Sequence, residues 1–385
     1  MFYALLLLFV CTILAYWSTN KQSTTIENTE KVFSQRAISL SSFAFIALLI
    51  ILVCFGGLRT FMNDTKTYLL AFEQKAPNTL SGIKSVDWAI GSNPLFSVYQ
   101  IVLKTFFSSN GQVFIFVSSL FTITSMIMFI RKKAENFGFS IFLFISFTVY
   151  ALTLGAMKQT MATAIAIWSI PLFLSGKRIR AIILIVIAMF IHPYVVVYFA
   201  FFFLYKSIWD RRAVLIILAT LAVSFVFTSF VAGMINLTSL IGDEYDSSMF
   251  EGAGISVFRV LVYWVTPILS FVYREQIREK DNKFLNVCIN LSLVSACFIL
   301  LASTGGANMM GRLANYFDIF ICISLPAVIN CINKETNEKS IITIVAFVGF
   351  IGFYITYYSK YYPNFIGDLF SDYYAHVPIT ALFKG

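Results

Sequence analysis

The chain has 385 residues, 59% of them hydrophobic and only 12% charged, with 42 Phe, 19 Tyr and a formal net charge of +9. Soluble globular chains run at about 45–50% apolar and about 25% charged residues, so this composition excludes a water-soluble enzyme with an ordinary surface and marks an integral membrane protein. The basic excess, which in a soluble protein would suggest nucleic acid, has to be read here by the side of the membrane on which it lies.

Residues 1–17 (MFYALLLLFVCTILAYW) are as apolar as a signal sequence but lack a basic n-region and a small-x-small cleavage site before Asn20, so they read as a retained first helix. Further apolar runs lie at 39–58, 111–130, 138–155, 160–175, 179–191, 193–205, 213–233, 257–273, 284–302, 313–332 and 340–357. Together they predict an all-α, polytopic membrane bundle of about 12 transmembrane helices in a single domain spanning residues 1–385. The runs 179–191 and 193–205 are short, covering roughly 20 Å each at about 1.5 Å per residue, and are expected to tilt, extend or form a re-entrant hairpin around His192 and Pro193. The stretch 94–108 is also short and reads as a half-helix in the outer leaflet.

Basic residues set the orientation. Lys21, Lys31 and Arg36, then Arg131, Lys132 and Lys133, then Lys177, Arg178 and Arg180 fall in alternate loops, as do Lys206, Arg211 and Arg212, then Arg274, Arg278, Lys280 and Lys283, then Lys334 and Lys339. Cytoplasmic loops collect Lys and Arg, so this alternation puts these loops inside and both termini outside. The outer side then carries the long loop 59–93, the loop 234–256, the turn 303–311 and the tail 358–385, and the first two are expected to cover a site. Cys11, Cys54, Cys288, Cys297, Cys322 and Cys331 fall within or at the ends of apolar runs without CxxC spacing and read as packing residues. With only His192 and His376, and no HExxH, neither a metal site nor a cofactor is expected.

Four cations, Arg59, Lys158, Arg259 and Arg312, lie at the outer ends of different predicted helices, beside apolar sequence. Such charges snorkel, pair or face a polar cavity. The first patch is Gly56-Gly57-Leu58-Arg59 followed by Asn63-Asp64-Thr65 and Tyr68. Arg59 offers a planar fork suited to phosphate, while Asn63 or Asp64 equally suits a helix cap. The second, Lys158-Gln159, opens an apolar span, where a cation against the positive end of the helix dipole suggests an anionic partner unless the lysine snorkels. His192, at a helix break, serves as a turn residue or touches substrate. In the fourth, Arg312 and Tyr316 are four apart on one helix face, and Asp318 lies deeper in an apolar run, either as interhelical polar glue or as part of the chemistry. Outer tyrosines and Trp88 suit a headgroup belt more than sugar stacking.

The stretches GLRTFMNDTKTYLLAF at 57–72, AMKQTMATAIAIWSI at 156–170, FIHPY at 190–194 and GRLANYFDIF at 311–320 resemble, in this order, the EpsG-like, Wzy-type polysaccharide polymerases. Two departures stand out: Lys158-Gln159 replaces a common Arg-Gln, keeping charge but giving up bidentate geometry, and His192-Pro193-Tyr194 replaces His-x-Ser-Ala. The resemblance implies a fold related to GT-C membrane glycosyltransferases. It also implies joining of undecaprenyl-pyrophosphate-linked oligosaccharide repeat units, as donor and acceptor, at the outer face of the bacterial cytoplasmic membrane. Arg59, Lys158, Gln159, Arg259, Arg312, Tyr316, Thr65 and Tyr68 are then the expected contacts to diphosphate and sugar, and Asp64 and His192 the expected catalytic groups, with Asp64 preferred as base. A chain-length regulator and a flippase of the same pathway are expected partners besides membrane lipids, and nucleic acid is not. The alternatives are a lipid-linked oligosaccharide flippase, which would carry ionisable groups through the midplane, and an O-antigen-ligase-type transferase with nearly the same chemistry.

Overall fold

A chain this apolar has to close its backbone hydrogen bonds within each segment, and all regular structure among the described residues is helical. The computed structural model describes residues 2–19, 30–226, 233, 254–305, 307–335, 341–361 and 377–383. In chain order the helices are α1 (Phe2–Trp17), α2 (Glu30–Gly57), α3 (Thr65–Leu70), α4 (Pro94–Phe106), α5 (Gly111–Lys133), α6 (Phe137–Ser146), α7 (Val149–Gly155), α8 (Met157–Ala166) and α9 (Ser169–Leu174). They continue with α10 (Arg178–Met189), α11 (Phe201–Leu204), α12 (Arg211–Phe225), α13 (Val257–Val272), α14 (Arg274–Glu279), α15 (Lys283–Thr304), α16 (Ala307–Asn315), α17 (Asp318–Glu335) and α18 (Ile341–Tyr361). Most of the loop 234–256 expected to cover a site lies outside the described residues.

Three described helical stretches are long and apolar enough to cross a bilayer unaided: Leu40–Gly57, Gly111–Lys133 and Lys283–Thr304. Two bent pairs, α6 with α7 at 50° and Met309–Asn315 with Asp318–Asn333 at 53°, raise this to five if each pair is one span. Part of the difference from about twelve is length, since stretches such as Ala4–Trp17, Val257–Val272 and Ile341–Tyr357 are apolar but shorter, and part is breaks inside apolar runs. Thr148, at φ +69, separates α6 from α7. The run 160–175 is shared between α8 and α9, and 193–205 is a 3₁₀ segment, Pro193–Ala200, leading into α11. A window average of hydropathy does not register such breaks, because one or two less apolar residues barely lower the mean of a long apolar run.

The chain forms two compact units, each assembled from separated segments. Unit 1 comprises Met1–Lys75, Ser108–Ala156 and Ala346–Gly385. In it α1 packs on α2 and α6, and α2 on α5. Asn110 caps α5 by accepting from the Gln112 N–H at 2.8 Å, and Asn136 caps α6 by accepting from Phe139 N–H at 3.0 Å. Phe139 stacks on Phe347 with ring centroids 4.6 Å apart, and Phe147 packs on Phe350 and Phe353. Gly56 and Gly57 let α2 and α5 meet backbone to side chain: a Cβ at Gly57 would fall 2.6 Å from Phe116 Cδ2 and 3.1 Å from its Cα.

Unit 2 comprises Ala76–Phe107 and Met157–Val345. Its axis is α15, against which α12, α13, α16 and α17 pack. Asp210 and Asn282 cap α12 and α15 by accepting backbone N–H groups. Polar side chains on α15 tie neighbours to it: Asn290 donates to Leu204 O at 2.6 Å and Ser207 O at 2.9 Å, and Ser292 meets Ser324 at 2.9 Å.

Replacing Gly57 by Val forces Phe116 and the α5 backbone apart. The expected cost is about 1–3 kcal/mol, read as a lowered unfolding temperature of the detergent-purified chain; an unchanged temperature would contradict the close α2–α5 crossing.

Candidate active site

Within unit 2, four short elements end at one place. α10 stops at Met189, and His192 N–H bonds back to Ala188 O at 2.9 Å before Pro193 opens the 3₁₀ segment. α4 starts at Pro94 after Asn93, whose φ of +55 turns the chain into the helix, and Leu95 N–H then donates to Phe190 O at 3.0 Å. The short helix expected at 94–108 is thereby tied to the His192 turn. α8 begins at Met157, so Lys158 lies in its first turn, with its ammonium over the Phe96 ring at 5.2 Å. Next to it, the buried Gln159 donates through Nε2 to Arg312 O at 2.6 Å, joining α8 to the last turn of α16.

α16 ends at Asn315, and the break that follows carries Tyr316, fully buried, with its hydroxyl 2.5 Å from His192 Nδ1. Tyr198 O–H donates to Tyr316 O at 2.8 Å, satisfying a carbonyl that the break would leave without a partner. Burial above all, and then the positive charges of Lys158 and Arg312, push the His192 imidazole down to about 3 from its ordinary 6.5. The ring is therefore neutral at physiological pH. In the tautomer where Tyr316 O–H donates to Nδ1, Nε2–H is left as a donor for a substrate oxygen. Lys158, Gln159, His192, Arg312 and Tyr316, expected from the sequence to act together, are thus brought together. Arg312 is exposed and Lys158 half-buried.

Arg259 is tied to Asp318 through a residue that the sequence does not mark. Its Nη2 donates to Tyr263 Oη at 3.4 Å, and Tyr263 O–H donates to Asp318 Oδ2 at 3.0 Å. Ser295 Oγ donates to Asp318 Oδ1 at 3.0 Å. The sequence signal for this group was the lone carboxylate of Asp318 in an apolar run, which had to find partners on other helices. Arg312, six residues earlier, is not the partner: it is exposed, and the helix breaks between them.

The remaining expected site residues belong to unit 1. Arg59 is wholly enclosed, and its guanidinium donates to Gly56 O, to Ser119 Oγ at 2.8 Å and, through Nε, to Thr65 Oγ1 at 3.1 Å. Gln112 Nε2 adds bonds to Gly57 O at 2.7 Å and Arg59 O at 3.1 Å. The fork expected to face a phosphate is turned inward, because the last carbonyls of α2 need donors in apolar surroundings. Burial pulls the Arg59 pKa down to about 10, which leaves it charged at neutral pH. Thr65, also buried, is part of this clasp, and its hydroxyl donates to Met62 O at 2.7 Å. Asp64 is exposed at the N-cap position of α3 without making a side-chain cap bond, and Tyr68 N–H donates to its carbonyl at 3.0 Å. Among the described residues no group of three or more His, Cys, Asp or Glu is placed to hold a metal.

Because the folded pKa of His192 is depressed, the unfolded chain binds a proton below about pH 6.5 that the folded chain refuses until about pH 3. This group's contribution to stability is therefore complete above pH 6.5 and is lost as pH falls through that window. In a His376→Gln background, the one remaining imidazole should show the NMR shifts of a neutral ring down to pH 5. Titration near 6.5 would mean that His192 is not enclosed beside two cations.

No curated protein and no solved structure matches this chain. Residues 42–373, most of its length, match the EpsG family, so the chain belongs to that family, the Wzy-type polysaccharide polymerases.

Proposed function

We propose that the chain is a membrane glycosyltransferase joining oligosaccharide repeat units, each carried on undecaprenyl diphosphate, at the outer face of the cytoplasmic membrane. The observation that carries this reading is that Lys158 in the first turn of α8 and Arg312 in the last turn of α16 are brought together, through Gln159 Nε2 bonding to Arg312 O at 2.6 Å, beside the His192–Tyr316 pair. Fixed cations at a spot that also offers an N–H donor suit a diphosphate leaving group.

In the proposed reaction a hydroxyl oxygen of the acceptor unit attacks the anomeric carbon of the donor sugar. The bond from that carbon to the phosphate oxygen breaks, and its electron pair leaves with undecaprenyl diphosphate. Lys158 and Arg312 stabilise the charge that grows on the departing oxygens, and His192 Nε2–H donates to one of them or to a sugar hydroxyl. An imidazole of such low basicity is a poor acceptor for the hydroxyl proton, which passes instead to an oxygen of the departing diphosphate or to water. Asp64, the carboxylate preferred as base from the sequence, is tested on its own by Asp64→Asn. A chain-length regulator and a flippase of the same pathway are the proposed protein partners.

Purified chain mixed in detergent with a lipid-linked repeat unit should yield polymer and free undecaprenyl diphosphate. That outcome is impossible for a flippase, since no second compartment exists. Lys158→Ala and Arg312→Ala should each lower turnover about 100-fold, with Lys158→Arg retaining most of it. Full-length polymer from both alanine variants would remove the diphosphate site from this face.

A further inference from the structure

We propose that Asp318 is a positioning residue of the site, acting through Tyr263 to aim the guanidinium of Arg259 and through Asn315 and Ser295 to hold the helix break that presents Tyr316. This rests on the polymerase reading above, and it assigns a role to a carboxylate that the proposed chemistry leaves unused.

The geometry is that of a hub. Asp318 is the first residue of α17 and is almost wholly buried. Its Oδ2 accepts from Tyr263 of α13 at 3.0 Å and its Oδ1 from Ser295 of α15 at 3.0 Å. With the Asn315 amide oriented so that its nitrogen faces the carboxylate, Nδ2 donates to Oδ2 at 3.3 Å and to Gly311 O at 3.0 Å. Three converging donors are a set suited to an ionised carboxylate. Ser295 Oγ also lies 3.2 Å from Ala314 O, at the end of α16. One side chain therefore ties α13, α15, α16 and α17 together around the 53° bend. Within that bend sits Tyr316, the partner of His192.

The second branch depends on hydrogen-bond direction. A tyrosine hydroxyl has one proton. Once it is donated to Asp318, the phenol oxygen can only accept, and the group facing it is Arg259 Nη2 at 3.4 Å. The same guanidinium lies over the Tyr263 ring, 5.5 Å from its centroid. Arg259 is one helical turn before Tyr263 on α13, so ring and hydroxyl together fix a long side chain that would otherwise sample several rotamers. Replacing the carboxylate by an amide lets the amide nitrogen donate to the phenol, which frees the phenol proton to turn against the guanidinium.

The two branches separate by substitution. Tyr263→Phe removes the hydroxyl that links Arg259 to Asp318 but leaves the carboxylate its bonds to Ser295 and Asn315. Turnover by the reconstituted full chain and its affinity for undecaprenyl diphosphate are measured for Tyr263→Phe, Arg259→Gln, Asp318→Asn and the double variants. Tyr263→Phe should lower kcat about tenfold, a loss larger than any fall in the folded fraction at the assay temperature, which the unfolding curve of the same variant measures. Combined with Arg259→Gln it should add nothing to the loss from Arg259→Gln alone, in turnover and in affinity alike. Asp318→Asn should be the more severe single change, since it disturbs both branches. Wild-type kcat in Tyr263→Phe, or losses for Tyr263→Phe and Arg259→Gln that multiply, would overturn the inference. A wild-type chain that makes no polymer, yet shows the same non-additive pattern in undecaprenyl diphosphate affinity, would overturn the polymerase reading and uphold the relay.

Discussion

A helix that ends or bends in apolar surroundings exposes carbonyls that water cannot reach, and each must find a donor from another segment. That constraint organises both units of this chain. In unit 1 the end of α2 is closed by the Arg59 guanidinium and by the Gln112 amide, which together satisfy carbonyls at residues 56, 57 and 59. In unit 2, Gln159 reaches Arg312 O, Tyr198 reaches Tyr316 O, and Asn290 reaches Leu204 O and Ser207 O. The polar side chains that interrupt the apolar runs are thus concentrated where the backbone is interrupted. These breaks are also where a membrane protein can place irregular, chemistry-bearing backbone at low cost, because a neighbouring helix already supplies the missing bonds.

This explains which parts of the site were legible from the residues alone. Lys158, Gln159, His192, Arg312 and Tyr316 are recognisable because each is a polar exception in an apolar run, and the structure draws them together in unit 2. Arg59 is an equally visible exception, yet its side chain faces inward; no pattern in GLRTFMNDT distinguishes a guanidinium aimed at solvent from one closing its own helix. Phe96 and Tyr263 were not legible as site residues, since an aromatic among 42 Phe and 19 Tyr carries no signal until its neighbours are known. Asp318 sits between these cases: its cost announces that partners exist, and only packing shows that they are Tyr263 and Ser295.

The helix count shows the same limit. Runs such as 138–155 and 313–332 have the length and hydropathy of spans, but Thr148 in a left-handed conformation and the Tyr316–Phe317 turn divide them. Neither break uses glycine or proline. The second is held by tertiary contacts, Tyr198 bonding to the Tyr316 carbonyl and His192 meeting its hydroxyl. Composition and hydropathy identify the solvent that a segment occupies; they do not register a bend whose cause lies more than a hundred residues away.

The electrostatics of the His192 turn bear directly on the proposed reaction. Lys158 lies in the first turn of α8, where the helix dipole adds to its positive charge rather than offsetting it, and its ammonium rests on the face of Phe96. A lysine held in this way is a point charge that tolerates several phosphate orientations, which an arginine fork would not. Both Lys158 and Arg312 act to keep the imidazole unprotonated. An anion seated against them would offset their field at the ring, so the proposed diphosphate would raise the basicity of His192 only by the part that those two charges remove, while the larger contribution from burial would remain. In the proposed reaction, donor binding and the proton affinity of the imidazole would therefore be linked through the same two cations, with burial still holding the ring as a hydrogen-bond donor and not a base.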